Sequence, residues 1–384
     1  MSLCNDKVDM KTAFIYSDNF AKFDYGPGHP LKPFRLKLTY ELIQAYGLLS
    51  LPDVRVVGAK AAGEDDLLLY HTSDYLEVLK AANSGIGVPG EERYGLGFED
   101  NPIFEGVYEW SRLVAGASLQ AADLVDNNEV AIAFNISGGL HHALASRASG
   151  FCYINDPVIV ISSLLKKGRR VAYIDIDAHH GDGVQEAFYR TDKVLTISLH
   201  ESGRYLFPGT GFENETGEGE GKGCAVNIPL PPSADDELFV YAFNEVVPLL
   251  IERFRPDIVV GQLGVDSFRT DPLAHLNYTT NGFCEVVRKM KELSPRWIAL
   301  GGGGYEITNV AKAWTLAWAI MNNAAAPDKL ANELPEAFLA HYPLEGFRSR
   351  KLQDEEYREK GARKEMMRDE VMKVVARIKD QVCR

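Results

Sequence analysis

Short apolar runs rich in β-branched residues alternate along this chain with longer segments whose apolar residues recur every three or four positions. The first pattern suits strands, whose side chains alternate between faces; the second suits helices with one buried stripe. Strand candidates are KTAFIYS from Lys11, VRVVGA from Val54, VAIAFN from Val130, RRVAYIDID from Arg169, VLTISLH from Val194, CAVNIPL from Cys224, DIVVGQLGVD from Asp257 and RWIALGGGGY from Arg296, eight in all. Several are apolar on both faces, as strands covered from both sides are. Helical spacing covers Phe34–Tyr46, Val107–Val125, Asp156–Lys166, Asp236–Phe254, Gly282–Leu293 and Val310–Met321. Strands alternating with helices predict a parallel sheet between two helical layers, an α/β/α sandwich.

The order of elements divides the 384 residues into an N-terminal tail (1–10), one large domain (11–325) and a C-terminal helical extension (326–384). The extension is charge-dense, but Met367, Val371, Val374, Ile378 and Val382 form a helical stripe expected to pack on the domain. Segments 84–104 and 201–223, rich in Gly and Glu, read as long loops, which in a compact domain often carry function.

Composition narrows the function class. With 41 Lys and Arg against 54 Asp and Glu, the chain carries a formal charge of -13, which excludes sequence-independent nucleic-acid binding and suits cationic substrates. The 5 cysteines stand singly, as reduced thiols do in a cytosol. No run approaches the ~18 apolar residues of a membrane helix, and the start lacks a signal-peptide pattern, so a cytoplasmic protein without membrane contact is expected.

Chemistry concentrates where apolar strands end. YIDIDAHHGDGV, from Tyr173, places Asp175, Asp177, His179, His180 and Asp182 after a buried run; alternation puts Asp175, Asp177 and, if the strand persists, His179 on one side. Mixed carboxylate and imidazole donors suit zinc or another first-row divalent ion rather than calcium or magnesium. GQLGVDSF delivers Asp266 at another strand end, and parallel strands open on one edge, so Asp266 can complete an Asp, His, Asp set with an open position. His141 and His142 follow a Gly-rich turn and suit proton transfer near the metal, with Asp175 and Asp182 as spare partners. The run GGGGY lacks phosphate-loop spacing; its Tyr305 is a candidate donor to a developing oxyanion.

These stretches, with DYGPGHPLKPFR, YHTSDYLEVL, YGLGFEDNP, GGLHHA, GFCYIND, SLH and FPGTG in consistent order over residues 11–322, resemble the class I histone deacetylases and bacterial acetoin-utilisation deacetylases. The resemblance implies an arginase-like fold with an eight-stranded parallel sheet, and hydrolysis of acetyl or short acyl groups from the lysine side chains of proteins or peptides. Zinc, with ferrous iron as the alternative, would be held by Asp177, His179 and Asp266. His142, oriented by Asp182, would be the general base and acid; His141, paired with Asp175, its electrostatic partner; Tyr305 the oxyanion donor. Gly150, Phe151 and Phe207 would wall the acyl-lysine tunnel, Leu273 would stand at its rim, and Asp100 would grip the substrate backbone. Potassium or sodium sites would fall on Asp175, Asp177, His179, Ser198 and Leu199, and near Phe188, Thr191 and Val194. Many relatives have cysteine after the rim aspartate, where this chain has Asn101.

Three alternatives remain at this level: an acetylpolyamine or other small-amide deacetylase, which Leu273 disfavours weakly; an arginase-like two-metal ureohydrolase, for which a second ligand set is missing; and a silent acyl-lysine binding module, which has no need of the two histidines and Tyr305.

Overall fold

The computed structural model describes residues 11–98, 100–325, 330–342 and 349–382. The expected tail at 1–10, and the side chain of Val382 in the expected stripe, lie outside the described residues. All eight expected strands form: β1 (Thr12–Tyr16), β2 (Val54–Gly58), β3 (Ile132–Asn135), β4 (Val171–Asp175), β5 (Val194–Glu201), β6 (Ala225–Leu230), β7 (Ile258–Gln262) and β8 (Trp297–Leu300). They make one sheet in the order β2-β1-β3-β8-β7-β4-β5-β6, parallel throughout.

The helices are α1 (Phe34–Ala45), α2 (Glu64–Leu67), α3 (Ser73–Ala81), α4 (Val107–Asp126), α5 (Asp156–Lys166), α6 (Asp182–Phe188), α7 (Asp236–Phe254), α8 (Thr280–Leu293), α9 (Ile307–Met321), α10 (Glu336–His341) and α11 (Ala362–Val382). Helices α1, α9, α8, α7 and α11 pack in a row, each against the next, and α4, α5 and α6 form a second row. Burial between these layers explains why most strands are apolar throughout. At the outer edge β2 is the exception, with Val56 46% exposed. The opposite edge, β6, is buried because α11 lies over it and α7, burying Met367, Val371, Val374, Val375 and Ile378. Lys364 of α11 enters with its ammonium on the buried Asp235, which also caps α7 by accepting the Leu238 N–H. No helix among the described residues is long and apolar enough to cross a membrane.

A second apolar cluster sits beside the sheet, built from Tyr25, Tyr75, Trp110, Tyr153 and neighbours, with Phe151 and Tyr305 packed against it. It stiffens loops that carry no sheet hydrogen bonds. Here the sequence pattern was silent: α3 is too short for its stripe to stand out, and α6 begins inside the polar motif at Asp182.

Candidate metal centre and active site

Four adjacent strands, β3, β8, β7 and β4, end level with one another, with Asn135 opposite Leu300, Leu300 opposite Gln262, and Gln262 opposite Asp175. The chain leaving each carries candidate residues: 136–142, 301–305, 263–266 and 176–182. Ligands bind at this carboxyl edge of parallel sheets because backbone groups there are released from the ladder. Strand β4 stops at Asp175, so Asp177 and His179 lie on irregular backbone rather than on the strand extension that alternation allowed.

Asp177, His179 and Asp266 bring one donor atom each within 4.8 Å of one another, the one such group of three or more potential ligands found among the described residues. All three are buried. The His179 Nδ1 lies 2.8 Å from Asp266 Oδ2 and 3.2 Å from Asp177 Oδ1. Burial alone would depress this imidazole, but Asp266 and Asp177 outweigh it and push its pKa up to about 10: the cradle attracts positive charge. Asp177 Oδ2 accepts the Gln262 amide at 2.6 Å and the Gly303 N–H at 2.7 Å, while Asp266 Oδ1 accepts the Ala178 N–H at 2.9 Å. The outer lone pairs are thus held by protein and the inner ones face each other, an arrangement fitting a divalent ion with mixed oxygen and nitrogen donors.

The glycine run is explained by this cradle. A Cβ on Gly303 would stand 2.1 Å from Asp266 Oδ2, and Gly302 and Gly304 adopt φ of +138° and +137°, open to glycine alone at low cost. Arg35, buried at 4% exposure, donates to the carbonyls of Gly302 and Gly304 at 2.7 and 2.8 Å.

Beside the cradle the two histidines form a charge-ordered chain. His141 Nδ1 is 2.7 Å from Asp175 Oδ2, His141 Nε2 is 3.0 Å from His142 Nε2, and His142 Nδ1 is 2.6 Å from Asp182 Oδ1. Burial opposes protonation of His141, yet Asp175 and Asp177 raise its pKa to about 9. His142 goes the other way: burial and then the neighbouring His141 charge lower it, with Asp182 opposing. With His141 raised and His142 lowered, the contacts take one proton assignment: His141 donates from both ring nitrogens, and neutral His142 accepts at Nε2 and donates from Nδ1 to Asp182.

The expected tunnel residues Gly150, Phe151 and Phe207 lie against this centre. The Phe207 ring lies 5.0 Å from that of His142, and the Phe151 ring 5.6 Å from that of Tyr305. Gly150 is so close that a Cβ would meet the His142 ring at 2.5 Å. Asp100 is exposed and lines, with Phe98, Arg147, Gly150 and Phe207, a pocket of about 640 Å³. Leu273 is half-buried, its N–H on Asp271. The Tyr305 phenol is pushed well above its usual range by burial, then by Asp266 and Asp177. At the monovalent-cation positions, the Ser198 hydroxyl lies 2.8 Å from His200 Nδ1, Leu199 is buried in β5, and Phe188, Thr191 and Val194 bracket the turn from α6 to β5.

Sequence reasoning passed over Gln262, Arg35, Tyr173 and Asp271. Gln262 had a readable signal, an amide in an otherwise apolar buried strand that must find a partner. Tyr173, whose hydroxyl donates to Asp175 Oδ2 at 2.7 Å, looked like one more apolar strand residue.

Comparison with known proteins agrees with this geometry. The histone deacetylase domain family matches residues 29–321. Histone deacetylase 2 of Oryza sativa subsp. japonica is 40% identical over 345 residues, 89% of this chain and 67% of that protein. Histone deacetylase 1 of Homo sapiens is 41% identical over 328 residues, 85% of this chain and 66% of that protein, so the chain spans about two thirds of the length of these relatives. A crystal structure of a histone deacetylase homologue from Aquifex aeolicus superposes with a TM-score of 0.85 at 37% identity, covering 95% of this chain and 100% of that one. A homologue crystallised with the compound SAHA gives 0.85 at 36% identity, covering 96% and 99%. The chain belongs to the histone deacetylase family, and with it to the deacetylase hydrolases.

Proposed function

We propose that the chain removes acetyl or similar short acyl groups from the lysine side chains of proteins or peptides, in the cytosol, at a single zinc ion, or ferrous iron in its place, held by Asp177, His179 and Asp266. The observation that carries this reading is the chain Asp175–His141–His142–Asp182 ending beside a buried set of three metal donors. A metal-binding module needs the donors alone; a hydrolase also needs a neutral base within reach.

When bound, the ion supplies Lewis acidity, polarising the amide carbonyl and acidifying a water. His142, kept neutral by burial and by charged His141, takes the water's proton once the His141 N–H yields the Nε2 lone pair to the water, and the water oxygen bonds to the acyl carbon as that proton leaves. His142 then returns that proton to the departing lysine amine, so the amide C–N bond breaks with the amine leaving neutral. Asp182 holds Nδ1–H and orients the ring for both transfers. Tyr305, protonated because its anion is so disfavoured, donates to the carbonyl oxygen as negative charge develops there, a contact worth about 3 kcal/mol. Gly150, Phe151 and Phe207 wall the passage for the lysine methylenes, Asp100 holds the substrate backbone at the mouth, and Leu273 borders it. Potassium or sodium would bind at Asp175, Asp177, His179, Ser198 and Leu199, and at the turn of Phe188, Thr191 and Val194.

The test is turnover of an acetyl-lysine peptide, an acetylpolyamine and longer acyl-lysine peptides in parallel, with and without a chelator. Fastest turnover of acetyl-lysine peptide, abolished by chelation and restored by zinc, is expected. Preference for the acetylpolyamine, or turnover indifferent to chelator, would overturn the proposal.

A further inference from the structure

The rim loop and the glycine loop meet at one buried carboxylate that has no part in the chemistry above. Asp271 is 7% exposed. Its Oδ1 accepts the Leu273 N–H at 3.0 Å, an ordinary turn contact two residues away. Its Oδ2 crosses to a different segment and accepts the Tyr305 N–H at 2.8 Å, with the Glu306 N–H at 3.4 Å. A turn aspartate needs only the first of these bonds. Burying the whole carboxylate is costly, and the second oxygen is used entirely on the main chain of Tyr305 and its neighbour.

On its N-terminal side that main chain is anchored at Gly303, whose N–H donates to Asp177 Oδ2 and whose carbonyl accepts the Val265 N–H. Gly302 and Gly304 permit conformations that other residues avoid, so the loop's own preferences do not choose where Tyr305 starts. Arg35 anchors the carbonyls of Gly302 and Gly304 from one side, and Glu306 caps α9 immediately afterwards. Between those anchors Asp271 is the side chain that grips Tyr305 itself.

We propose that Asp271 is a positioning residue for Tyr305: it fixes the backbone from which the phenol reaches the acyl oxygen and ties that backbone to Leu273 at the rim. The inference rests on the donor role given to Tyr305 above. Its consequence is specific, since a displaced phenol weakens the chemical step while substrate and metal still bind.

The experiment is a double-mutant cycle on acetyl-lysine peptide, with Asp271→Ala and Tyr305→Phe alone and together, alongside metal content and thermal melting. Asp271→Ala is expected to lower kcat about tenfold or more, with KM within about threefold and metal retained, because small misplacement of a donor is costly. In the Tyr305→Phe background the same substitution is expected to change residual kcat by less than about twofold, since coupled residues are not additive. Asp271→Asn, which keeps one oxygen acceptor, is expected to recover part of kcat, and it carries the cycle if Asp271→Ala does not fold. Equal losses in both backgrounds, or an unchanged kcat in Asp271→Ala, would overturn the inference while leaving the Tyr305 role standing. Near-normal turnover by Tyr305→Phe alone would sink the donor role, and the inference with it.

Discussion

The two histidine–aspartate pairs share residue types and almost the same hydrogen-bond length, yet they hold opposite charge states. Asp175 has no exposed side-chain surface, accepts the Tyr173 hydroxyl and the Asp177 N–H as well as His141, and ends β4 two residues before Asp177 of the cradle. Asp182 begins α6, with its side chain 21% exposed. The inner pair therefore sits in concentrated negative potential, which keeps His141 protonated to about pH 9. The outer pair meets that positive charge at 3.0 Å, which holds His142 neutral. The chemistry needs this asymmetry: a base must be free of its proton, and its neighbour can favour that by keeping one.

Removing the outer imidazole should have the largest effect. His142→Ala is expected to lower kcat by about 10² or more, the usual contribution of a positioned general base, with metal content unchanged. Kinetics with metal analysis check this, and a loss below tenfold would assign the proton transfer elsewhere. Removing the inner one should cost less but change the shape of the pH profile. In His141→Ala the charge that depresses His142 is gone, so the pKa of His142 rises. A base works when neutral, so activity lost on acidification is then lost sooner, and the acid limb of kcat/KM moves to higher pH. The accompanying fall in kcat is expected to be on the order of tenfold at neutral pH.

How far this asymmetry is readable in the sequence follows from where each residue lies. Asp175 announced itself as a carboxylate in an apolar strand, and Asp182 and the histidines fell in short polar motifs. Seven of the eight strands followed from apolar runs because a sheet covered on both faces imposes burial at nearly every position, and β2, at the exposed edge, followed from its β-branched valines. Asp271 and Arg35 left no comparable trace. Each does its work through hydrogen bonds to a main chain far away in sequence, 34 residues for Asp271 to Tyr305 and 267 for Arg35 to Gly302, and neither partner side is a side chain that a motif displays. The second apolar cluster was hidden for the same reason: Tyr25, Tyr75 and Tyr153 lie in loops or short elements without a period.

Asp182→Asn offers the smallest change and the sharpest reading of the comparison. The amide oxygen still accepts Nδ1–H from His142, so orientation survives, and partial exposure lets water solvate the site. What disappears is the negative charge that raises the His142 pKa against burial and His141. The acid limb of kcat/KM is then expected to move to lower pH, opposite to its movement in His141→Ala. A weaker base should also lower kcat by a few-fold, about threefold, at neutral pH. Opposite displacements in the two variants would show that His142 is set by competition between the inner cation and the outer carboxylate. Displacement in the same direction would mean that the acid limb reports some other group, and the charge ordering along Asp175, His141, His142 and Asp182 would have to be abandoned.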